Sequence, residues 1–194
     1  MSPDTMPVSR SGVFIAVVGP SGAGKDTLIR RACERFESDS RFVFARRVVT
    51  RAANEDAEDH DTLDPQRFEA WEAAGRFCLT WRAHGLAYGV PSTHQADMAN
   101  GACVIANLSR HSIAPALASM ERVAAITVTA PQDVLVERIV ARGREDRQSA
   151  SERVARRGPG ELPDGLVGHW TVDNSGAVDV ASRRFCAVLE EIAS

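Results

Sequence analysis

The chain has 194 residues, of which 44% are hydrophobic and 25% are charged, and its formal net charge is −3. This is the composition of an ordinary soluble globular domain, and so small a net charge gives no reason to expect nucleic-acid or membrane binding. The sequence has no run of about 20 apolar residues, and residues 1–12 lack the apolar core of a signal peptide. We therefore expect a cytoplasmic protein whose four widely spaced cysteines are buried and reduced.

Apolar runs alternate with helical patterns along the chain, which predicts a single α/β domain with a parallel sheet. Runs suited to buried strands occupy residues 13–18, 42–49, 77–81, 103–106, 123–128 and 166–172. Helices are predicted to begin near residues 25, 65, 92, 109, 130, 149 and 177. Several of these starts carry capping patterns, including Asp64–Pro65 and a capping box at residues 149–152.

The segment GPSGAGKDT, which follows the first strand, has the GxxxxGK pattern of a phosphate-binding loop. Its glycines let consecutive backbone N–H groups point at phosphate oxygens, and the next helix adds its positive N-terminal end. Lys25 supplies a mobile charge for the β- and γ-phosphates of ATP. The nucleotide-binding residues predicted from this pattern are Gly19, Pro20, Ser21, Gly22, Ala23, Gly24, Lys25, Asp26 and Thr27.

The position after the loop lysine holds Asp26, where a Mg²⁺-binding serine or threonine is usual. A carboxylate that faces a triphosphate would be repelled, whereas a Mg²⁺ ion between the two would make the contact favourable. We therefore predict that Asp26 belongs to the metal shell, directly or through water. The alternative is a solvent-facing aspartate at a helix start.

Three further motifs follow: Thr50–Arg51 after the second strand, Tyr88–Gly89 in the middle of the chain, and the arginine-rich segment RIVARGR at residues 138–144. In this order they resemble the guanylate kinase family over nearly the whole chain. The resemblance implies a three-layer P-loop kinase fold with a central, mainly parallel five-stranded sheet. Its parts would be a core (11–45 and 92–194), a small acceptor-binding lobe (about 46–91) and an Arg-rich lid (about 143–158).

The same resemblance implies roles for individual residues. In that family an arginine and a tyrosine at the matching positions bind the acceptor's phosphate, which implies substrate binding by Arg51 and Tyr88. Lid arginines of the family close over the transferred phosphoryl group. The catalytic residues implied in this way are Lys25, Arg138, Arg142 and Arg144.

The chain departs from that family's pattern at three places, one of which is the glutamate that recognises guanine. Asn54 stands where a second arginine is expected, Thr80 stands in place of a glutamate, and Val90–Pro91 replaces a pair of hydroxyl residues. A site that loses its buried hydrogen-bonding partners for a substrate gives up discrimination of roughly 10⁴–10⁵-fold. The sequence therefore keeps the phosphate-binding residues and lacks those that would bind the base.

A second set of features is more specific: GKD in the phosphate loop, Glu58-Asp-His60 after Thr50–Arg51, TWRAHGLAYGV, Asn107-x-Ser-Arg110, and RGRE. Over residues 13–175 they resemble the ribose 1,5-bisphosphate phosphokinase family of phosphonate catabolism. The resemblance implies that ATP, with Mg²⁺, phosphorylates the 1-phosphate of ribose 1,5-bisphosphate, giving 5-phosphoribosyl 1-diphosphate (PRPP) and ADP. It adds Glu58, His60 and Arg110 as substrate-binding candidates, and Arg47 is a further unranked cation.

Two alternatives stay open at the level of sequence. One is a guanylate kinase or another nucleoside-monophosphate kinase. The other is a catalytically inactive guanylate-kinase-like binding module, against which the intact Gly19, Gly24 and Lys25 argue. The acidic run at residues 55–61 is more typical of a solvated loop. The expected partners are small molecules, and the sequence leaves the oligomeric state open, with a homodimer as one option.

Overall fold

The computed structural model describes residues 11–50, 60–83, 85–141, 143, 146–155 and 161–194. The strands are β1 (Phe14–Val18), β2 (Phe42–Phe44), β3 (Arg47–Val49), β4 (His60–Thr62), β5 (Phe77–Ala83), β6 (Leu86–Pro91), β7 (Cys103–Asn107), β8 (Val123–Thr129) and β9 (Gly168–Asp173). The helices are α1 (Lys25–Arg35), α2 (Pro65–Ala73), α3 (His94–Ala99), α4 (Ile113–Ser119), α5 (Gln132–Ala141), α6 (Arg147–Ala155) and α7 (Val178–Ile192).

The central sheet has five parallel strands in the order β2–β7–β1–β8–β9. Every residue of β1 is buried, because the sheet is covered on both faces. Ile15 and Val17 belong to a core shared with α1, α5 and α7, whereas Phe14, Ala16 and Val18 belong to a core shared with α4. The predicted α/β fold with a mainly parallel five-stranded sheet is thereby confirmed.

A second sheet has the order β4–β3–β6–β5, in which β6 is antiparallel to both of its neighbours. One face of this sheet packs on α2 through Val48, Ala87 and the fully buried Phe68. The single strand predicted for residues 42–49 is wrong, because β2 pairs with the central sheet and β3 with the second sheet. Strand β4 falls at the end of the acidic run that was expected to be a loop.

The helix starts agree only partly with the capping patterns. Asp64 caps α2 as predicted, since its Oδ1 accepts a hydrogen bond from the Arg67 N–H at 2.9 Å. The predicted cap at Ser149 is wrong, because its own N–H donates to Asp146 Oδ1 at 2.8 Å and α6 begins at Arg147. This backbone hydrogen bond holds the pKa of the Asp146 carboxyl below its usual value.

All four cysteines are free thiols. Cys78, Cys103 and Cys186 are buried as predicted, whereas the prediction of burial is wrong for Cys33, which is exposed. Burial raises the pKa of the Cys78 thiol to about 11, so this side chain stays protonated near neutral pH. Within the described ranges, no helix combines the length and the apolar character needed to cross a membrane.

Candidate active site

The phosphate loop joins β1 to α1 at the carboxyl end of the central strand. A turn in this loop is closed by the Ala23 N–H, which donates to the carbonyl of Pro20 at 3.3 Å. Gly24 is the N-cap residue of α1 and adopts a left-handed conformation with φ of 88°. Strand, loop and helix therefore stand in the arrangement that presents backbone N–H groups and a helix N-terminus to an anion.

Lys25, the first residue of α1, folds back over the phosphate loop. Its Nζ donates hydrogen bonds to the carbonyl oxygens of Gly19 at 2.9 Å and of Pro20 at 3.1 Å. These two carbonyls hold the ammonium group beside the loop, within reach of a phosphate bound there. The side chain is half-buried, so its charge acts at this position with less screening than a fully exposed lysine would have.

Asn174 supports the phosphate loop from the segment between β9 and α7. This residue is only 3% exposed, and its Nδ2 donates to the carbonyl of Ala23 at 2.8 Å. Its own backbone N–H donates to the carbonyl of Thr129 at 2.8 Å, which ties the segment to the end of β8. No pattern in the sequence indicated that this side chain would hold the phosphate loop in place.

Asp26 lies where three elements meet. Its Oδ1 accepts a hydrogen bond from Asn107 Nδ2 at 2.5 Å, and Arg47 Nη2 lies 4.0 Å from the same oxygen. Asn107 is the last residue of β7 and Arg47 the first residue of β3. The side chain of Asp26 is 44% exposed, so part of the carboxylate also remains accessible to a ligand. A simple solvent-facing aspartate at a helix start would not have these two partners.

These groups fit a Mg²⁺ ion that arrives with a nucleotide. Among the described residues, no group of three or more His, Cys, Asp or Glu side chains could hold a metal ion alone. Phosphotransferases, however, bind Mg²⁺ through one or two protein oxygens together with substrate phosphates and water. Asp26 supplies a hard carboxylate oxygen beside Lys25, which is a donor set that suits Mg²⁺.

Tyr88 lies in the second sheet, stacked on Trp81 with ring centroids 5.2 Å apart and an interplanar angle of 7°. It pairs across the sheet with Val49 and is half-buried. Side chains at alternate positions of a strand share one face, so Arg47, Val49 and Tyr88 lie on the same face of this sheet. That face therefore presents a phenol and a guanidinium group together.

Thr80 occupies the position at which a guanine-binding glutamate was expected, and its hydroxyl is engaged elsewhere. Its Oγ1 donates to Glu72 Oε1 at 2.6 Å, and Arg82 Nη2 lies 2.5 Å from Glu72 Oε2. The hydrogen bonds from Arg82 and, second, from Thr80 hold the pKa of the Glu72 carboxyl below its usual value. The Glu72 carboxylate of α2 is therefore ionised and satisfied by its own neighbours.

Arg138 lies on α5, which runs beside the phosphate loop. The helix approaches so closely that a Cβ atom at Gly22 would lie 2.8 Å from the carbonyl oxygen of Leu135 and 3.3 Å from Ile139 Cγ1. The Nη1 atom of Arg138 is buried without a hydrogen-bond partner in the described part of the protein. Because a buried donor left unsatisfied is costly, this atom is suited to an anionic ligand.

Arg110 begins a short 3-10 turn (Arg110–Ser112) directly after β7 and is half-buried. His169 of β9 lies nearby, where its Nε2 shares a hydrogen bond of 2.9 Å with the hydroxyl of Thr127. Burial, and secondarily the positive charge of Arg110, lower the pKa of the His169 imidazole. The lowered pKa favours a neutral His169 imidazole near the charged Arg110 guanidinium.

The structure places Lys25 and Asp26 directly after the phosphate loop and Arg138 on α5, the helix that packs against the loop at Gly22. It places Tyr88 on the second sheet and Arg110 after β7. His60 is placed through its backbone, which pairs with Arg47 in the register of β3 and β4. The predicted site residues that lie outside the described part of the chain are Arg51, Glu58, Arg142, Arg144 and the side chain of His60.

Comparison with known proteins gives three kinds of similarity. A family model described as an AAA domain matches residues 14–158. The ribose 1,5-bisphosphate phosphokinase PhnN of Chelativorans sp. (strain BNC1) is 44% identical over 95% of this chain and 88% of its own length. The same-named protein of Brucella melitensis is 42% identical over 94% of both chains. Guanylate kinase from Anaplasma phagocytophilum has a similar fold, with a TM-score of 0.67 over 94% of this chain and 87% of that chain, at 16% identity.

Proposed function

Because the chain belongs to the ribose 1,5-bisphosphate phosphokinases, within the AAA-domain family, we propose that it phosphorylates the 1-phosphate of ribose 1,5-bisphosphate. ATP is the donor, and the products are PRPP and ADP. The observation that carries this proposal is an identity of 42–44% over 94–95% of the chain to relatives of that name. ATP and the phosphorylated sugar are then its partners, and a cytoplasmic location follows from the use of ATP.

The nucleophile in this reaction is an oxygen of the acceptor's 1-phosphate, and it needs little activation. A phosphate monoester is largely dianionic near neutral pH because its second pKa is about 6. No general base is required, so the protein has to align two anionic groups and neutralise the charge of the transferred phosphoryl group. Lys25 would neutralise the β- and γ-phosphates from the phosphate loop, and the buried Nη1 of Arg138 would donate to the same group.

Mg²⁺, when bound with ATP, would supply positive charge that reduces the repulsion between donor and acceptor. Asp26 would hold it, directly or through a water molecule, with the hydroxyl of Thr27 as a neighbouring oxygen. Asn107 fixes the orientation of the Asp26 carboxylate by donating to Oδ1. The carboxylate is thereby held in position before the nucleotide binds, which limits the ordering required on binding.

On the acceptor side, we assign residues of about 46–91 to a lobe that binds the phosphorylated sugar. Tyr88 and Arg51 would bind one phosphate, with Glu58, His60 and Arg110 as further contacts. The lid, about 143–158, would bring Arg142 and Arg144 over the transferred phosphoryl group. The replacement of the guanine-binding glutamate by Thr80 supports a sugar acceptor, since the one carboxylate bonded to Thr80, that of Glu72, is already paired with Arg82.

A panel of acceptors tests the proposed function. We expect turnover of ribose 1,5-bisphosphate to PRPP at a kcat/KM far above that for GMP or AMP, because Thr80, which donates to Glu72, replaces the glutamate that would bind a guanine base. ADP release measured in parallel for the three acceptors, with PRPP identified by mass spectrometry, gives the comparison. Preferential turnover of GMP would instead make the protein a guanylate kinase and would refute the proposal.

The variant Asp26→Asn tests the metal assignment. We expect the Mg²⁺ concentration that gives half-maximal rate to rise by about 10–100-fold, because the amide lacks the charge that holds the ion or its water. The matched control is Asp133→Asn, which removes an exposed aspartate from the first turn of α5. If Asp26→Asn leaves the Mg²⁺ dependence of the rate as unchanged as the control does, Asp26 is only a helix-start residue.

A further inference from the structure

Arg47 stands at the junction of the two sheets. The chain leaves the central sheet at the end of β2, and Arg47 opens β3 after two intervening residues. Its side chain is only 11% exposed, although it carries a permanent charge. A charged group so deeply buried needs anionic or polar partners to offset its desolvation.

One such partner is Asp26, at the start of the helix that follows the phosphate loop. Arg47 Nη2 lies 4.0 Å from Asp26 Oδ1, which is within the range of an ion pair and beyond that of a hydrogen bond. The same oxygen accepts the hydrogen bond from Asn107. Arg47 of the second sheet is thus directed towards the phosphate loop by the Asp26 carboxylate, which Asn107 in turn holds in place.

Arg46, the neighbouring residue, has a different environment. Its side chain is 56% exposed and lies 3.2 Å from the exposed carboxylate of Asp61, at Nη2 and Oδ1 respectively. The two adjacent arginines therefore carry the same charge but differ in burial and in partner. Arg47 shares the face of Val49 and Tyr88, whereas Arg46 pairs at the protein surface.

We propose that Arg47 is a specificity-determining residue that binds one of the two phosphates of a doubly phosphorylated acceptor while keeping its contact with Asp26. This inference rests on the proposed function, which supplies the doubly phosphorylated sugar. A guanidinium group has five N–H donors in a planar fork, so it can bind two phosphate oxygens along one edge and still face a carboxylate. A nucleoside monophosphate, with a single phosphate, has no second anion for this group.

The expected effect is a loss of affinity that depends on which phosphates the ligand carries. Arg47→Gln should weaken binding of ribose 1,5-bisphosphate by roughly 10–100-fold, the range for a lost hydrogen bond to a charged group. Of the two monophosphates, ribose 1-phosphate and ribose 5-phosphate, one should lose affinity by a similar factor. The other should bind as tightly as it does to the wild-type chain. Arg47→Lys should recover part of the loss, because it restores the charge without the planar fork.

The experiment is calorimetric titration of the full chain with the three sugar phosphates, alongside steady-state rates with ATP. The control is Arg46→Gln, which removes the same charge one residue away and should leave all three affinities unchanged. The KM for ATP and the melting temperature show whether an effect is confined to the acceptor site. Equal losses for all three ligands, or none, would overturn the proposal.

The same data keep this inference distinct from the proposed function. If the wild-type chain binds ribose 1,5-bisphosphate without converting it to PRPP, the proposed function is wrong, and the affinities still report on Arg47. If the wild-type chain fails to bind ribose 1,5-bisphosphate at all, both proposals are refuted. If turnover is normal in Arg47→Gln at every acceptor concentration, only the assignment of Arg47 is refuted.

Discussion

Replacing Lys25 by alanine should lower kcat by roughly 10²–10³-fold or more, the range found when a single charge-stabilising donor is removed from an active site. The reason is that Lys25 is held at the phosphate loop by the carbonyls of Gly19 and Pro20, where it would neutralise charge on the transferred phosphoryl group. Rates of PRPP formation at saturating ATP and ribose 1,5-bisphosphate measure the effect.

The fold should survive this change, because the lost contacts are two hydrogen bonds of a half-buried side chain at a loop. Circular dichroism and a melting curve of the variant would check this. Lys25→Arg is the matched variant, since it keeps the charge but enlarges the group within the loop. A nearly normal kcat for Lys25→Ala, with an intact fold, would refute the role assigned to the lysine.

The second large effect is expected at Gly19, where β1 enters the phosphate loop. Its φ of 145° lies in a region that side chains avoid, and a Cβ there would lie 2.2 Å from the backbone oxygen of Val128. Because the obstacle is the backbone of β8, no side-chain rotation can relieve the contact. We expect Gly19→Ala to lower the free energy of unfolding by about 3 kcal/mol or more, and to weaken ATP binding.

Urea denaturation and calorimetric titration with Mg²⁺ and ATP measure these two effects. Gly85→Ala is the control, because Gly85 also has a positive φ, of 75°, and a Cβ there meets none of the described residues within 4 Å. This control should lower the free energy of unfolding by only about 1–2 kcal/mol, because alanine disfavours the left-handed conformation, and it should leave ATP binding intact. If Gly19→Ala were no more harmful than the control, the close packing of the loop against β8 would not matter.

The central sheet was predictable because strands that are buried on both faces have continuous apolar runs in their sequence. Strand β1 is such a run, and the phosphate loop follows it without interruption. The run at residues 42–49 misled the prediction for a physical reason. An apolar segment shows that it will be buried, but not that its two halves pair with different sheets, as β2 and β3 do.

Capping illustrates a second limit. Both Asp146 and Ser149 are residues that favour a helix N-terminus, and the segment between them satisfies either choice. The structure selects Asp146, whose carboxylate accepts the N–H of Ser149. Local sequence lists the available caps, whereas the packing of the helix against its neighbours decides which of them is used.

The partners of Asp26 could not be foreseen from sequence. The residue stood out because it breaks the usual pattern after the lysine, and its role in the metal shell remains a prediction. Asn107 and Arg47 reach it from the ends of β7 and β3, which are distant along the chain. Only the strand order of the two sheets brings these three side chains together, and no local pattern encodes that order.

Lys25 is also the only lysine among the 194 residues, since every other basic side chain of the Lys and Arg class is an arginine. Apart from the terminal amine, a reagent that acylates primary amines can therefore react at a single place in the protein. The Nζ that it would modify is the one hydrogen-bonded to the phosphate loop. Acylation of the lysine thus reports on the phosphate loop, with the terminal amine as the other primary amine to be accounted for.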